Sequence, residues 1–187
     1  MIELQTSRLR LRQWRAGDRA PFAALNADPE VMAYFPSTLS TEASDTLADY
    51  CESRIAERGW GLWALELRGD GTFMGFVGLE VPNYELPFSP CTEIGWRLAR
   101  PFWGSGYATE AAAAVLPVGF GELGLEEIVS FTALGNLRSR AVMGRLGMRN
   151  AQRNFLHPAL AEDSPKREPA QNVQKPKRAE ARRETEE

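Results

Sequence analysis

Apolar and polar residues alternate at the start of the chain, where Leu9 and Leu11 are interleaved with Arg8, Arg10 and Arg12. This period of two predicts a half-buried first strand whose arginines form a solvated face. The period then lengthens. Asp18 ahead of Pro21, Phe22 and Leu25 predicts a capped helix. Asp28-Pro29 opens a second, short helix carrying Val31, Met32, Tyr34 and Phe35 and stopped at Pro36. Ser40-Thr41-Glu42 starts a third, which runs to about Arg58 and ends at Gly59. Residues 61–67 and 72–81 read as strands joined by the turn Arg68-Gly69-Asp70-Gly71. After a proline-bounded loop over 82–90 come a strand over 92–98, a helix over 107–123, a strand over 128–133 and a helix over 139–146 ended by Gly147. Pro117 lies inside the 107–123 helix and predicts a kink, because proline removes one backbone hydrogen bond.

Strands alternating with helices give an α/β chain with one domain over residues 1–160. The tail reads differently. Residues 161–187 hold seven acidic and seven basic side chains and no Leu, Ile, Phe, Tyr or Trp. So few apolar groups cannot offset the entropy of ordering, and the tail is expected to be disordered. The net charge of −3 supplies no field that would draw in nucleic acid. No run approaches the roughly 18 apolar residues that span a bilayer, and Met1 to Gln5 does not read as a leader. A cytoplasmic protein with no membrane partner is expected. Cys51 and Cys91 form no C-x-x-C and read as free thiols. With His157 the only histidine, no metal site is expected.

The densest chemical signal lies between the 92–98 strand and the helix that follows. There Arg100-Pro101-Phe102-Trp103-Gly104-Ser105-Gly106 makes a short turn into Tyr107-Ala108-Thr109-Glu110. A strand–turn–helix junction leaves backbone N–H groups unpaired at the positive end of the helix dipole, which suits a phosphate or pyrophosphate. Gly104 and Gly106 permit the tight bend and a close approach of the anion, or merely relieve a corner. Neither G-x-x-x-x-G-K-[ST] nor G-x-G-x-x-G is present.

Three blocks in order carry a family resemblance. They are Thr6-Ser7-Arg8-Leu9-Arg10-Leu11-Arg12 with Asp28-Pro29-Glu30-Val31-Met32, then Glu93-Ile94-Gly95-Trp96-Arg97-Leu98 with Trp103 to Ala111, and last Asn136 to Met143 with Leu146-Gly147-Met148. Over about residues 4–160 the chain resembles the GNAT N-acetyltransferase superfamily, and within it the RimJ/RimL-like ribosomal-protein alanine N-acetyltransferases. The resemblance implies a central mixed, mostly antiparallel sheet flanked by helices in αβα layers. It implies acetyl-CoA as co-substrate, no metal, and transfer of an acetyl group to a primary amine by direct attack in a ternary complex. The acceptor would be a protein N-terminus or a small-molecule amine, and the protein a monomer or homodimer.

The resemblance also implies roles. Glu93 would be the general base, acting through water. It is opposite in parity to Ile94, Trp96 and Leu98, so it faces away from those apolar side chains. Ser139 would be the general acid toward the thiolate, or simply a helix-start serine. The backbone of Trp96 and Leu98 would pair with pantetheine like an added strand. Trp103, Gly104, Ser105, Gly106, Tyr107, Ala108 and Thr109 would surround the pyrophosphate. Asn136 would bind the pantetheine arm, cap its helix, or do both. Pro101 stands where the wider family places Arg or Gln, so Arg100 is assigned no phosphate contact. Tyr34, Phe35, Tyr84 and Phe88 are candidates for the acceptor pocket, and Cys91 adjoins it without a histidine nearby in sequence to activate it. His157-Pro158-Ala159-Leu160 fits the family, but the apolar last strand expected after it is not recognisable. This leaves a non-catalytic acyl-CoA-binding protein as the alternative.

Overall fold

The computed structural model describes residues 1–158 and 169–177. Eight strands form one sheet: β1 (Leu4–Gln5), β2 (Leu9–Arg12), β3 (Leu62–Leu67), β4 (Phe73–Glu80), β5 (Glu93–Leu98), β6 (Glu127–Ala133), β7 (Arg149–Phe155) and β8 (Ala170–Pro176). Their order across the sheet is β1-β2-β3-β4-β5-β6-β8-β7. Only β5 and β6 are parallel. Among the described residues four α-helices flank the sheet: α1 (Arg19–Ala27), α2 (Thr41–Arg58), α3 (Tyr107–Pro117) and α4 (Leu137–Arg145).

Strand parity sorts the helices onto two faces. Phe76 of β4 meets Phe22 of α1 with ring centroids 6.1 Å apart. Leu79, of opposite parity, reaches the chain beyond α3, where a Cβ on Gly119 would lie 3.2 Å from its Cδ1 and 2.6 Å from Ile128 Cδ1. Cross-strand neighbours share a face. Phe76 pairs with Arg97, and Glu80 with Glu93. Glu93, Gly95 and Arg97 therefore lie on the α1 face, and Ile94, Trp96 and Leu98 on the α3 face.

Local chemistry explains most boundaries. Ser40 caps α2 by accepting the Ala43 N–H at 3.2 Å, and Gly59 ends it with φ of 82°. Pro117 has no N–H to continue α3. The chain widens instead into a π turn over Val118–Glu122, closed by the Leu123 N–H on the Val118 carbonyl at 3.0 Å. This π turn replaces the continuous kinked helix expected through residue 123.

Four expectations are corrected. Residues 29–34 form turns, not a helix. Asp28 Oδ1 accepts the Glu30 N–H at 2.9 Å, and Arg100 holds Asp28 and Glu30 at 2.6 and 2.5 Å, so side chains capture groups a helix would use. Asp18 stands before α1 without capping it, because its carboxylate binds Arg12 at 2.7 and 2.8 Å. Arg12 is consequently not on a solvated face. It is buried between Asp18 and Glu66, whose Oε2 it reaches at 2.5 Å. Finally, β8 lies within the stretch expected to be a disordered tail. It pairs with β6 from Glu127↔Pro176 to Ala133↔Ala170 and with β7 on its other side. An interior strand can be held by backbone hydrogen bonds on both edges with few apolar side chains. The remaining parts of that expectation, residues 161–168 and 178–187, fall outside the described residues.

Candidate active site

β5 and β6 are hydrogen-bonded neighbours only at their start. Glu93 is level with Val129, whose N–H donates to the Thr92 carbonyl at 3.0 Å. Beyond that pair the strands separate. The Ala99 N–H donates to Met74 on β4 at 2.9 Å. Backbone direction alternates along a strand, so the N–H and C=O groups of Ile94, Trp96 and Leu98 point into the gap. The Leu98 carbonyl already accepts the Trp103 indole N–H at 2.7 Å.

The gap leads to the turn before α3. Gly104 has φ of 75° and Gly106 of 81°, a region that only glycine occupies without strain. A Cβ on Gly104 would meet nothing within 4 Å, so this part of the turn is open. Gly106 occupies the N-cap position of α3 and offers no side chain to it. The N–H groups of Tyr107, Ala108 and Thr109 are thus presented at the positive end of α3. Thr109 Oγ1 is buried there with no hydrogen-bond partner. An open turn, free donors and an orphaned buried hydroxyl fit a pyrophosphate. Ser105 and Trp103 complete the turn, with the Arg138 guanidinium 4.5 Å over the Trp103 ring.

Sequence reasoning missed Arg8 here. Its guanidinium donates to the Ser105 carbonyl at 3.0 Å and to Glu110 at 2.7 Å, and lies 4.5 Å over the Tyr107 ring. Arg8 thereby ties β2 to the turn and to α3. Arg100 is engaged by Asp28 and Glu30.

α4 closes the other side of the gap. Asn136 caps it by accepting the Ser139 N–H at 3.2 Å and donates to Thr132 Oγ1 at 2.9 Å. Ser139 Oγ accepts the Trp96 indole N–H at 3.3 Å, so Ser139 lies directly across from β5. Tyr34 reaches over from the α1–α2 loop and donates to the Gly135 carbonyl at 2.9 Å.

On the opposite face of β5, Glu93 sits where the gap begins. Loss of solvent around its carboxyl, reinforced by the charge of Glu80 on β4, pushes its pKa up to about 8. The residue as a whole is half-buried, while the carboxyl itself lies on the buried side. Burial, and to a smaller extent the Glu93 charge, also raise the Tyr84 phenol and the Cys91 thiol. A raised thiol pKa disfavours a nucleophilic thiolate at Cys91. The Tyr84 hydroxyl shares a hydrogen bond of 3.0 Å with His157 Nε2, and Phe88 packs on Phe131 and Phe155 in the adjoining aromatic wall. Phe35 lies further along the same face of β5, stacked 4.1 Å from the Arg97 guanidinium. The Tyr84–His157 pairing carried no sequence signal, since the partners are 73 positions apart. Arg97 was legible, because it shares the parity of Glu93.

A parallel strand pair that splays beside a turn and helix end suited to an anion matches the cleft expected of an acyl-CoA-dependent transferase. The profile of the acetyltransferase (GNAT) domain matches residues 8–149. YkkB of Bacillus subtilis (strain 168) is 34% identical over 147 residues, 78% of this chain and 84% of its own. The FsC-acetyl coenzyme A-N(2)-transacetylase of Aspergillus fumigatus is 34% identical over 159 residues, 81% of this chain and 67% of its own. A GNAT-family acetyltransferase from Bacillus anthracis has a TM-score of 0.77 at 22% identity, with 94% of this chain and 98% of that chain covered. RimL, a ribosomal alpha-N-protein acetyltransferase solved with coenzyme A, has a TM-score of 0.73 at 14% identity, with 94% and 98% covered. The chain belongs to the GNAT acetyltransferase family. It is an acetyl-CoA-dependent acetyltransferase with the mixed, mostly antiparallel sheet of that fold.

Proposed function

We propose that this chain acetylates a primary amine by direct attack in a ternary complex, in the manner of the RimJ/RimL-like branch. The acceptor is a protein N-terminus or a small-molecule amine. The observation that carries the reading is Glu93: a buried carboxyl on a half-buried residue at the start of the strand gap, with its pKa raised to about 8. A base of that strength can take a proton from an ammonium group, through water, near neutral pH.

The rest of the cleft supports this division of labour. Bound acetyl-CoA supplies a thioester carbonyl open to attack. The turn from Trp103 to Gly106 and the N–H groups of Tyr107, Ala108 and Thr109 hold its pyrophosphate. The backbone of Trp96 and Leu98, with the Asn136 amide, lines the path of the pantetheine arm. Ser139 Oγ already accepts from Trp96, which leaves its own proton free to pass to the departing thiolate. That proton is then restored from solvent.

Calorimetric titration with acetyl-CoA, with NAD as control, tests the cofactor half. An amine screen that follows release of the free thiol tests the acceptor half. Saturable binding of acetyl-CoA with turnover on a primary amine supports the proposal. Binding without turnover on any amine would favour a non-catalytic acyl-CoA-binding protein.

A further inference from the structure

Arg97 is left over by this mechanism. It shares the α1 face of β5 with Glu93, and only Gly95 stands between them on that face. The floor between the two is bare, since a Cβ built on Gly95 would meet only Glu93 Oε1, at 3.9 Å. The Arg97 guanidinium is sandwiched 4.1 Å over Phe35 and 5.3 Å over Phe76. It donates from Nη1 to Asn26 Oδ1 at 2.6 Å, and its Nε is buried with no partner.

Among the described residues no carboxylate lies within ion-pair distance of Arg97, whereas three other arginines each hold at least one. Arg12 holds Asp18 and Glu66, Arg58 holds Glu80, and Arg100 holds Asp28 and Glu30. Two aromatic faces and one amide oxygen compensate a guanidinium only in part. A guanidinium carries five donors in a planar fork that matches a carboxylate, and the Asn26 bond uses one of them. Glu93 and Arg97 are four residue steps apart along the strand, about 13 Å between their Cα atoms. One acceptor molecule can therefore reach both.

We propose that Arg97 is a specificity-determining residue that binds a carboxylate of the acceptor, so that the substrates are primary amines that also carry a carboxylate. This rests on the amine-acetylation reading above. The carboxylate belongs either to a small amino acid or to an acidic side chain or C-terminus of a short peptide.

The test compares matched acceptors with wild-type protein, Arg97→Lys and Arg97→Met. One arm pairs free amino acids of increasing spacer length with their carboxamides. The other pairs short peptides having Asp or Glu after a free N-terminus with their Asn or Gln counterparts. Wild type should favour the carboxylate member by about ten- to a hundredfold in kcat/KM, the range of a charge-assisted hydrogen bond. The preference should vanish in Arg97→Met and return in part in Arg97→Lys, and the arm that responds identifies the source of the carboxylate. Equal kcat/KM for both members in wild type overturns the proposal. So does an Arg97→Met variant that loses both members equally, which is what a purely structural tie to Asn26 would produce.

A binding arm separates this inference from the catalytic one. Calorimetry of the CoA-loaded protein with N-acetylated products, as carboxylates and as carboxamides, requires no turnover. Carboxylate-selective binding without turnover on any amine would overturn the amine-acetylation reading and keep Arg97 as the anion site. Unselective binding overturns the Arg97 assignment whether or not turnover occurs.

Discussion

The two halves of the sheet, on either side of the gap between β5 and β6, are built differently. From β2 to β5 the strands are filled by fully buried side chains such as Leu9, Leu11, Trp63, Leu65, Val77, Leu79 and Ile94. The far half, β6-β8-β7, has at its centre a strand of Ala170, Gln171, Asn172 and Val173, where two of four buried side chains are amides and Asn172 Oδ1 has no partner. Its separate apolar cluster is small, with Leu86, Phe155 and Ala170 at its heart. Ile128 of β6 and Val173 of β8 do reach the main core, but the far half relies more on its backbone ladder than the near half does. The turn and Glu93 both belong to the well-packed half. The proposed chemistry is therefore anchored where the structure is stiffest, and the far half supplies a wall.

The largest effect expected from breaking this arrangement is on turnover. Glu93→Gln keeps the size of the side chain but cannot accept a proton, and kcat should fall by about 10²–10⁴-fold, the range for loss of a general base. Acetyl-CoA affinity, measured by calorimetry, should be unchanged. In wild type, kcat/KM should rise with pH through a midpoint near 8, and this limb should be absent in Glu93→Gln. The same shift acts on stability with a fixed sign. The folded carboxyl holds its proton up to about 8, against an ordinary value of 4.5, so the native state binds more protons between those values. Stability should fall as pH rises through that window, and Glu93→Gln should flatten the slope in urea melts.

Next in size is Arg12→Ala in the well-packed half. It strands two buried carboxylates, Asp18 and Glu66, and should destabilise the fold by about 3–5 kcal/mol in urea unfolding. Its Coulomb partners hold the Arg12 guanidinium above its ordinary pKa despite burial, so this charge is not lost at any ordinary pH. A smaller effect belongs to Gly104→Ala. It forces a Cβ into φ of 75° at a cost of about 1–2 kcal/mol. Because nothing lies within 4 Å of that Cβ, the loss should fall partly on acetyl-CoA binding, through displacement of the turn, and be visible by calorimetry.

The same contrast governs what the sequence disclosed. α2 was legible from Ser40 to Gly59 because its cap and its terminator are single residues with single jobs. Parity placed Glu93 on its own face of β5, and the same parity would have found Arg97. Arg12 was misread because alternation identifies the face of a residue, not what covers that face. Two carboxylates, six and 54 positions away, turn that arginine into a core residue. The π turn followed Pro117, but its closure depends on Gly119 meeting Ile128 and Leu79, which no local pattern encodes. β8 carried no hydrophobic signal, since its ladder draws on backbone groups that every residue except proline possesses.

The smallest effects should expose the two halves directly. Val77 and Val173 are both buried valines in interior strands, on opposite sides of the gap. Val77→Ala removes two methyl groups from a site with no solvent exposure and should cost about 2–3 kcal/mol, transfer and cavity effects together. Val173→Ala, whose directly opposed neighbours are Ser130 on β6 and Asn150 on β7, should cost about 1 kcal/mol, because these polar cross-strand neighbours lose less by its removal than an all-apolar site does. Native-state hydrogen exchange should agree. Amides of β3 and β4 should exchange only through global unfolding, while those of β8 should open at a lower free energy, as a separate unit with β7. Equal protection across the gap, with equal losses for the two valines, would mean that the backbone ladder of β6-β8-β7 is as cooperative as the packed half. The stiffness argued for the Glu93 side would then belong to the whole sheet.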